Sequence, residues 1–305
     1  MATESAYLKS LVLEMRLAFA RGENAMALAR ERENAGANSV ASTLIAYDLQ
    51  AGSYVNFARD NADYIKRWCS QIGEFIKPYV DSGSTILEVG VGEATTLAGI
   101  LEYFDNIVLD SFGFDVSWSR IKVGNNWVKE RRVQSQLFVG DLFRIPLEDN
   151  SIDVVYTSHS LEPNGGRERE AIAELLRVAR KAVVMIEPIF ELASEQAQAR
   201  MSEHGYVRDL KGISESLGAE VAEYGLLGVC SNNLNPSGIV QLKKRSKIDE
   251  ISGEKSSLWQ CPITGVSIVE RDEYFLAKDA GIAYPVLRGV PLLRAEHAVV
   301  ASLIE

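Results

Sequence analysis

Ile86-Leu87-Glu88-Val89-Gly90-Val91-Gly92-Glu93-Ala94-Thr95 reads as a strand that runs through a glycine turn into a helix. Thr85–Val89 is a short apolar run, the pattern of a buried strand. Leu97, Ile100, Leu101 and Phe104 then recur at i, i+3, i+4 and i+7, one face of a helix. Glycines between the two let the backbone turn sharply and approach a ligand closely. The helix N-terminus adds free N–H groups and a positive dipole end, suited to a carboxylate. A Gly-x-Gly pair also serves any tight strand-to-helix turn, so the turn by itself leaves function and structure level.

Working outward, short apolar runs alternate with amphipathic stretches. Phe112–Val116, Leu137–Val139, Ile152–Tyr156 and Ala182–Ile186 read as strands, with two more around Val221–Leu227 and Gly238–Leu242. Ile172, Leu175, Leu176 and Ala179 share a helix face, and another helix lies near Tyr206–Leu217. This alternation predicts an α/β fold, a doubly wound and mostly parallel seven-stranded sheet. Upstream, residues from Ala6 to Tyr79 read as helices. Leu8, Leu11, Val12, Met15 and Phe19 give one apolar face, with interruptions at Gly22 and Asn34–Asn38. A later helix starts near Asn61 and ends near Pro78.

Three acids fall at the carboxyl ends of successive strands, where open α/β sheets bind ligands. Glu88 precedes the first glycine. Asp115 ends the second strand and can accept both hydroxyls of a ribose. Asp141, in Gly140-Asp141-Leu142, ends the third; an amino group such as adenine's needs an acceptor of this kind. Each acid alone reads as a cap or a solvated loop residue, but the ordered set argues for a nucleoside. A nicotinamide-binding turn reads G-x-G-x-x-G, and here Thr95 stands at its last position. An NAD-dependent oxidoreductase is therefore the weaker alternative.

The stretches ILEVGVGEAT, GFDVSWSRI, VGDLFRIPLEDNSIDVVYTSHSLE and KAVVMIEP resemble the class I methyltransferases that use S-adenosyl-L-methionine, in their small-molecule branch. The resemblance implies a Rossmann-like sheet and covers about half the chain. It implies that Glu88, Gly90 and Gly92 floor the methionyl arm, that Asp115 takes the ribose, and that Asp141 with Leu142 takes the adenine. Ala94 departs from the family, which often has a third glycine there. Tyr47-Asp48-Leu49-Gln50-Ala51-Gly52-Ser53-Tyr54 is similar to the stretch that lids the cofactor in such enzymes, which adds Tyr54 to the cofactor residues. The bland reading is a helix that buries Tyr47, Ala51 and Tyr54 on one face.

Thr157-Ser158-His159-Ser160-Leu161-Glu162-Pro163 follows the fourth strand, where the resemblance implies a loop facing the methyl group. Ser158 is counted with the cofactor residues. A hydroxyl acceptor benefits from a base, and His159 is the first candidate, Glu162 the second. The alternative is a histidine that caps or packs the loop. His204, in the helix-like stretch Glu203–Asp209, and His297 in the tail have weaker claims. Amides of the loop Ser231–Gly238 could bond a polyhydroxy acceptor such as a sugar, though Asn, Pro, Ser and Gly are ordinary turn residues too. Arg208 is a candidate anion anchor.

The C-terminal zone opens with the polar linker SGEKSS and then CPITGVSIVE and GIAYPVLRGVPLL. It resembles the small zinc-ribbon-like activator proteins of methyltransferases. Cys261-Pro262 survives from their Cys-Pro-x-Cys opening, but Thr264 replaces the second cysteine. One thiol cannot make a closed zinc site, so no metal is expected and apolar residues must hold the segment.

The whole chain sets the remaining bounds. Its 305 residues carry a formal charge of −10, 47% apolar and 24% charged residues and three distant cysteines without metal-ligand spacing. The negative balance disfavours a nucleic acid partner; the basic cluster Lys243, Lys244, Arg245 and Lys247 reads as a solvated linker. No run is long enough to span a membrane and no secretory signal stands at the start, so a cytoplasmic location is expected. The division expected is an N-terminal helical region over 1–80, giving lid, substrate or homodimer contacts, a cofactor domain over 81–247 and a C-terminal α+β module over 248–305. A small molecule is the expected substrate; a non-catalytic scaffold that binds a protein is the further alternative.

Overall fold

The computed structural model describes residues 2–33, 39–244 and 257–304. Helices α1 (Ala2–Ala20), α2 (Ala25–Glu33) and α3 (Val40–Leu49) pack on one another around Leu11, Met15, Ala25, Ala29 and Ala46. The buried stripe of α1 is Leu11, Met15 and Ala18; Leu8 and Phe19, expected on that face, are exposed. The small alanines draw α2 and α3 close along the narrower stripe. Asn34–Asn38 lies outside the described residues, as do Arg245, Lys247 and the linker up to Ser256. Among the described residues no helix is long and apolar enough to cross a membrane.

α4 (Ser53–Asp60) and α5 (Ala62–Ile76) lead into the sheet. Its strands are β1 (Thr85–Val89), β2 (Asp110–Asp115), β3 (Gln136–Val139), β4 (Ile152–Ser158), β5 (Ala179–Pro188), β6 (Glu220–Leu226) and β7 (Ser237–Lys243). The order is β3-β2-β1-β4-β5-β7-β6, parallel except that β7 runs antiparallel to β5 and β6. The chain winds outward from β1 through β2 and β3, then returns to β4 on the other side of β1. That reversal leaves a crevice beyond the carboxyl ends of β1 and β4.

The helices are α6 (Thr95–Tyr103), α7 (Trp118–Glu130), α8 (Glu168–Val178), α9 (Glu195–Glu203) and α10 (Leu210–Ser216). Ile86, Val154, Tyr156 and Val184 pack on Trp68, Ile72, Leu97, Ile100 and Ile121 of α5, α6 and α7. Leu87, Val155, Val183 and Met185 face Ile172 and Leu175 of α8 on the other side. Both faces are covered, so the strands read as unbroken apolar runs. The helix expected near Tyr206 starts later, at Leu210. The stretch Glu203–Asp209 is not helical beyond its first residue, because Gly205 takes φ +65° and Asp209, at φ +50°, caps α10 through Gly212 N.

The segment 140–151 between β3 and β4 holds no helix. The C-terminal strands cover that part of the sheet instead. They are β8 (Trp259–Gln260), β9 (Ser267–Glu270), β10 (Tyr274–Ala277), β11 (Ile282–Leu287), β12 (Val290–Pro291) and β13 (Val299–Val300). They form one antiparallel sheet, β12-β11-β10-β9-β8, with β13 on β11 and two 3-10 turns, Lys278–Ala280 and Ala295–His297. Trp259 inserts edge-on among Phe112, Phe138 and Phe275, with ring centroids 6.1, 5.1 and 5.2 Å away. Leu293 N donates 2.8 Å to Val139 O, so this sheet also reaches the free edge of β3. Cys261 Sγ lies 3.2 Å from Tyr284 Oη, both residues buried.

Candidate active site

The glycine turn is built by exclusion. Gly90 has φ +70°, and a Cβ there would stand 2.2 Å from the Cβ of Ser160. Gly92 has φ +53°, and its missing Cβ would touch the Tyr54 ring at 3.5 Å. Ala94 adopts φ +58° at the N-cap of α6, where glycine would carry no Cβ penalty. Glu88 points into the core below the turn. Its carboxyl accepts from Tyr156 Oη at 3.1 Å, and burial pushes its pKa up to about 8.

Asp115 ties the second strand to the turn. It accepts from Gly92 N at 3.1 Å and from Ser117 N at 2.9 Å, and burial raises its pKa. Asp115 itself is buried, and the segment Tyr47–Val55 lies against the same glycine turn through Glu93. That segment is not one helix. It breaks at Gly52, with φ +100°, so that Tyr47 ends α3 while Tyr54 starts α4. Glu93 holds the break by accepting Gly52 N at 2.7 Å and Val55 N at 2.8 Å. Ser117 Oγ donates to Asp48 at 2.8 Å. The two tyrosine rings sandwich the Arg120 guanidinium, 4.2 and 4.6 Å from their centroids. Sequence reasoning gave Glu93 and Arg120 no role, although Glu93 lies inside the glycine turn itself.

Past β3, Gly140 N donates to Asp115 O at 3.0 Å, which brings Asp141 and Leu142 beside the second strand. Asp141 accepts from Phe143 N at 2.9 Å, and Leu142 packs into the core.

The loop after β4 carries the second cluster. Ser158 closes β4, paired with Ile186. His159 takes φ +56°, a conformation uncommon outside glycine. Its Nδ1 lies 2.8 Å from Glu162 Oε2 and its Nε2 lies 2.7 Å from Ser237 Oγ. Burial works against the imidazolium, but the bond and charge of Glu162, with the charge of Glu187, outweigh it and raise the His159 pKa. Asn235 Nδ2 donates to Glu162 at 3.2 Å. The loop Ser231–Gly238 therefore reaches this cluster through the Asn235 side-chain amide and the Ser237 hydroxyl.

Glu187, which the sequence reading passed over, holds the loop in shape. It accepts from the backbone of Ser160, Leu161 and Glu162, each at 3.1 Å, and burial pushes its pKa up to about 7. Ser160 Oγ donates to Val89 O at 2.6 Å, which joins this loop to the glycine turn. His204 bonds Arg200 O at the end of α9, His297 lies in a 3-10 turn, and Arg208 stacks over Phe190 at 4.3 Å. None of these three bonds to the His159 cluster.

Residues 86–182 match the model of a family described as a methyltransferase domain. The match runs from the first strand into the fifth and includes the glycine turn, Asp115, Asp141 and His159. No curated protein matches the chain. Among solved structures, the YcgJ protein of Bacillus subtilis is similar over 58% of this chain and 98% of its own, at 14% identity and a TM-score of 0.46. A chain from a complex of the Haloferax volcanii Trm112 methyltransferase activator with a methyltransferase is similar over 61% and 92%, at 15% identity and 0.48. Geranyl diphosphate C-methyltransferase of Streptomyces coelicolor A3(2), solved with S-adenosyl-L-homocysteine, is similar over 56% and 78%, at 11% identity and 0.45. The seven-stranded sheet is the Rossmann-like class I arrangement that the sequence predicts.

Proposed function

We propose that this chain transfers a methyl group from S-adenosyl-L-methionine to a small-molecule acceptor, with a hydroxyl of a sugar or of a surface-polysaccharide intermediate as the finer reading. The observation that carries it is the contact of Ser160 with Val89. It joins the glycine turn to the loop of His159, which supports a reading in which the nucleoside site and the candidate base adjoin.

The residues present fit the cofactor. Gly92 leaves a side-chain-free approach under Tyr54. The Asp115 carboxylate has accepting capacity beyond its two amides. In this reading Asp115 holds the ribose, Asp141 and Leu142 the adenine, and Gly90 and Gly92 the methionyl arm, with Glu88 supporting the turn from below. Tyr54 and Ser158 flank the arm. When bound, the cofactor supplies a methyl carbon already activated on sulfonium.

The chain's part is then to align the acceptor and exclude water, which can lower the barrier by roughly 7 kcal/mol or more. In this reading the neutral His159 keeps its proton on Nδ1 and donates that hydrogen bond to Glu162, 2.8 Å away, so Nε2 is the basic nitrogen. An acceptor hydroxyl takes the place that Ser237 Oγ occupies at Nε2 and gives up its proton there. Such a base contributes about 10²–10⁴-fold.

The division over 1–80, 81–247 and 248–305 belongs to the same reading. The first region gives lid, substrate or homodimer contacts, and the last is a fused activator-like module. The location is cytoplasmic, with no nucleic acid or membrane partner. Calorimetric titration tests the reading: S-adenosylhomocysteine binds and NAD does not. Tight NAD binding without a response to S-adenosylhomocysteine would overturn it.

A further inference from the structure

Arg120 is 4% exposed, a buried cation on α7. Its hydrogen bond to Gln50 Oε1, at 3.3 Å, is to a neutral amide. Its Nε has no hydrogen-bond partner among the described residues, and no ion pair there includes it. Asp115 lies close enough to act on it through charge, but turns its oxygens to the amides of Gly92 and Ser117. Two aromatic faces offset part of the cost of a buried guanidinium. A buried charge without a hydrogen-bonded counter-ion is otherwise unfavourable. The Nε donor is the one that its neighbours leave unmatched among the described residues, and a carboxylate suits it.

The position of Arg120 decides which anion. Its Nη1 lies 3.9 Å from where a Cβ on Gly92 would stand, so the guanidinium borders the space that this glycine keeps clear. Of the groups on S-adenosylmethionine, the adenine and ribose are neutral and the sulfonium and ammonium are cationic. Only the α-carboxylate carries negative charge.

We propose that Arg120, held between Tyr47 and Tyr54, pairs with that carboxylate and makes the site selective for adenosyl ligands that carry one. This rests on the methyl-transfer reading. A planar guanidinium presents its donors in a fork that fits a carboxylate, which a lysine cannot reproduce.

The test titrates the full chain with S-adenosylhomocysteine and with its decarboxylated analogue, which keeps the amino group and loses only the carboxylate. The natural protein is expected to prefer the first by about tenfold or more, the scale of a hydrogen bond to a charged group. Arg120→Gln lowers affinity for S-adenosylhomocysteine by a similar factor and leaves the analogue unchanged, so the preference collapses. Arg120→Lys keeps a buried charge in case the glutamine variant does not fold, and retains only part of the preference. A preference that survives in Arg120→Gln, an undiminished preference in Arg120→Lys, or an equal loss for both ligands overturns the proposal. If the natural protein binds neither ligand, the methyl-transfer reading fails instead.

Discussion

Asp115 accepts the amide of Gly92 across 3.1 Å, so the acid that ends the second strand also fixes the glycine turn that follows the first. Asp115→Ala therefore does more than remove a ribose contact. It leaves the buried amides of Gly92 and Ser117 without an acceptor, at a cost of about 1–3 kcal/mol for an unsatisfied group. Both cofactor affinity and melting temperature are expected to fall. Calorimetry with S-adenosylhomocysteine and a thermal scan on the same sample separate the two. Unchanged affinity in a folded variant would remove Asp115 from the site.

The sequence carried the strands of the central sheet because parallel strands covered on both faces are unbroken apolar runs, as in Ile152–Tyr156. Strand-end acids and glycines were legible for the same reason, since their positions follow from the strands. Side-chain direction was not. Glu88 lies in a strand buried on both sides, and composition cannot say that its carboxyl meets Tyr156. Ser237 comes to the end of β5 that carries Glu187 only because β7 returns antiparallel to β5, pairing Glu187 with Gly238 and Pro188 with Ser237. Arg120 reads as a surface charge on an amphipathic helix until a segment some seventy residues upstream folds over it.

His159→Gln should lower turnover by about 10²–10⁴-fold once an acceptor is in hand, with little change in cofactor affinity. Stability offers a second readout. The folded pKa of His159 is raised above its ordinary 6.5, so its contribution is complete below that value. It is lost as pH rises through the folded value. The melting temperature of the natural protein should fall over that window, and His159→Gln should flatten the fall. Glu187, raised from 4.5 to about 7, loses stability in the same direction, so the slope shrinks without vanishing. An identical pH profile in the variant would show that the Glu162 bond does not shift His159.

Glu88→Gln probes the floor of the turn. The carboxyl is pushed by burial from 4.5 to about 8, so it is mostly protonated at neutral pH and the amide is a close mimic. Its folded pKa is raised; its stabilising effect is full below about pH 4.5 and disappears as pH climbs to about 8. The variant should melt near the natural protein at pH 7 and above it at pH 9. A variant that loses stability equally at every pH would mean that the ionised carboxylate, with Tyr156, is the form that the fold requires.

Trp259→Ala should show how far the central sheet depends on the C-terminal strands. Its ring meets Phe112 and Phe138 on the face of β2 and β3, where the segment 140–151 supplies no helix. Gln260 N donates 3.1 Å to Pro146 O, and Glu148 N donates 3.0 Å to Leu258 O, so that segment leans on the same strand. Removing a buried tryptophan costs about 3–5 kcal/mol through lost transfer energy and the cavity left behind. The loss should fall on the central sheet as well, because Phe138 lies in β3, the strand that leads into the turn carrying Asp141. Urea unfolding followed by fluorescence and by backbone circular dichroism should therefore give one shifted transition. Truncation before Ser252 should give a larger shift in the same direction. The Cys261 thiol contacts Tyr284 Oη, and Thr264 stands where the resemblance places a second cysteine, so elemental analysis is expected to find no zinc. Stoichiometric zinc, or a truncated chain as stable as the whole, would show that these strands are held by something other than the aromatic cluster around Trp259.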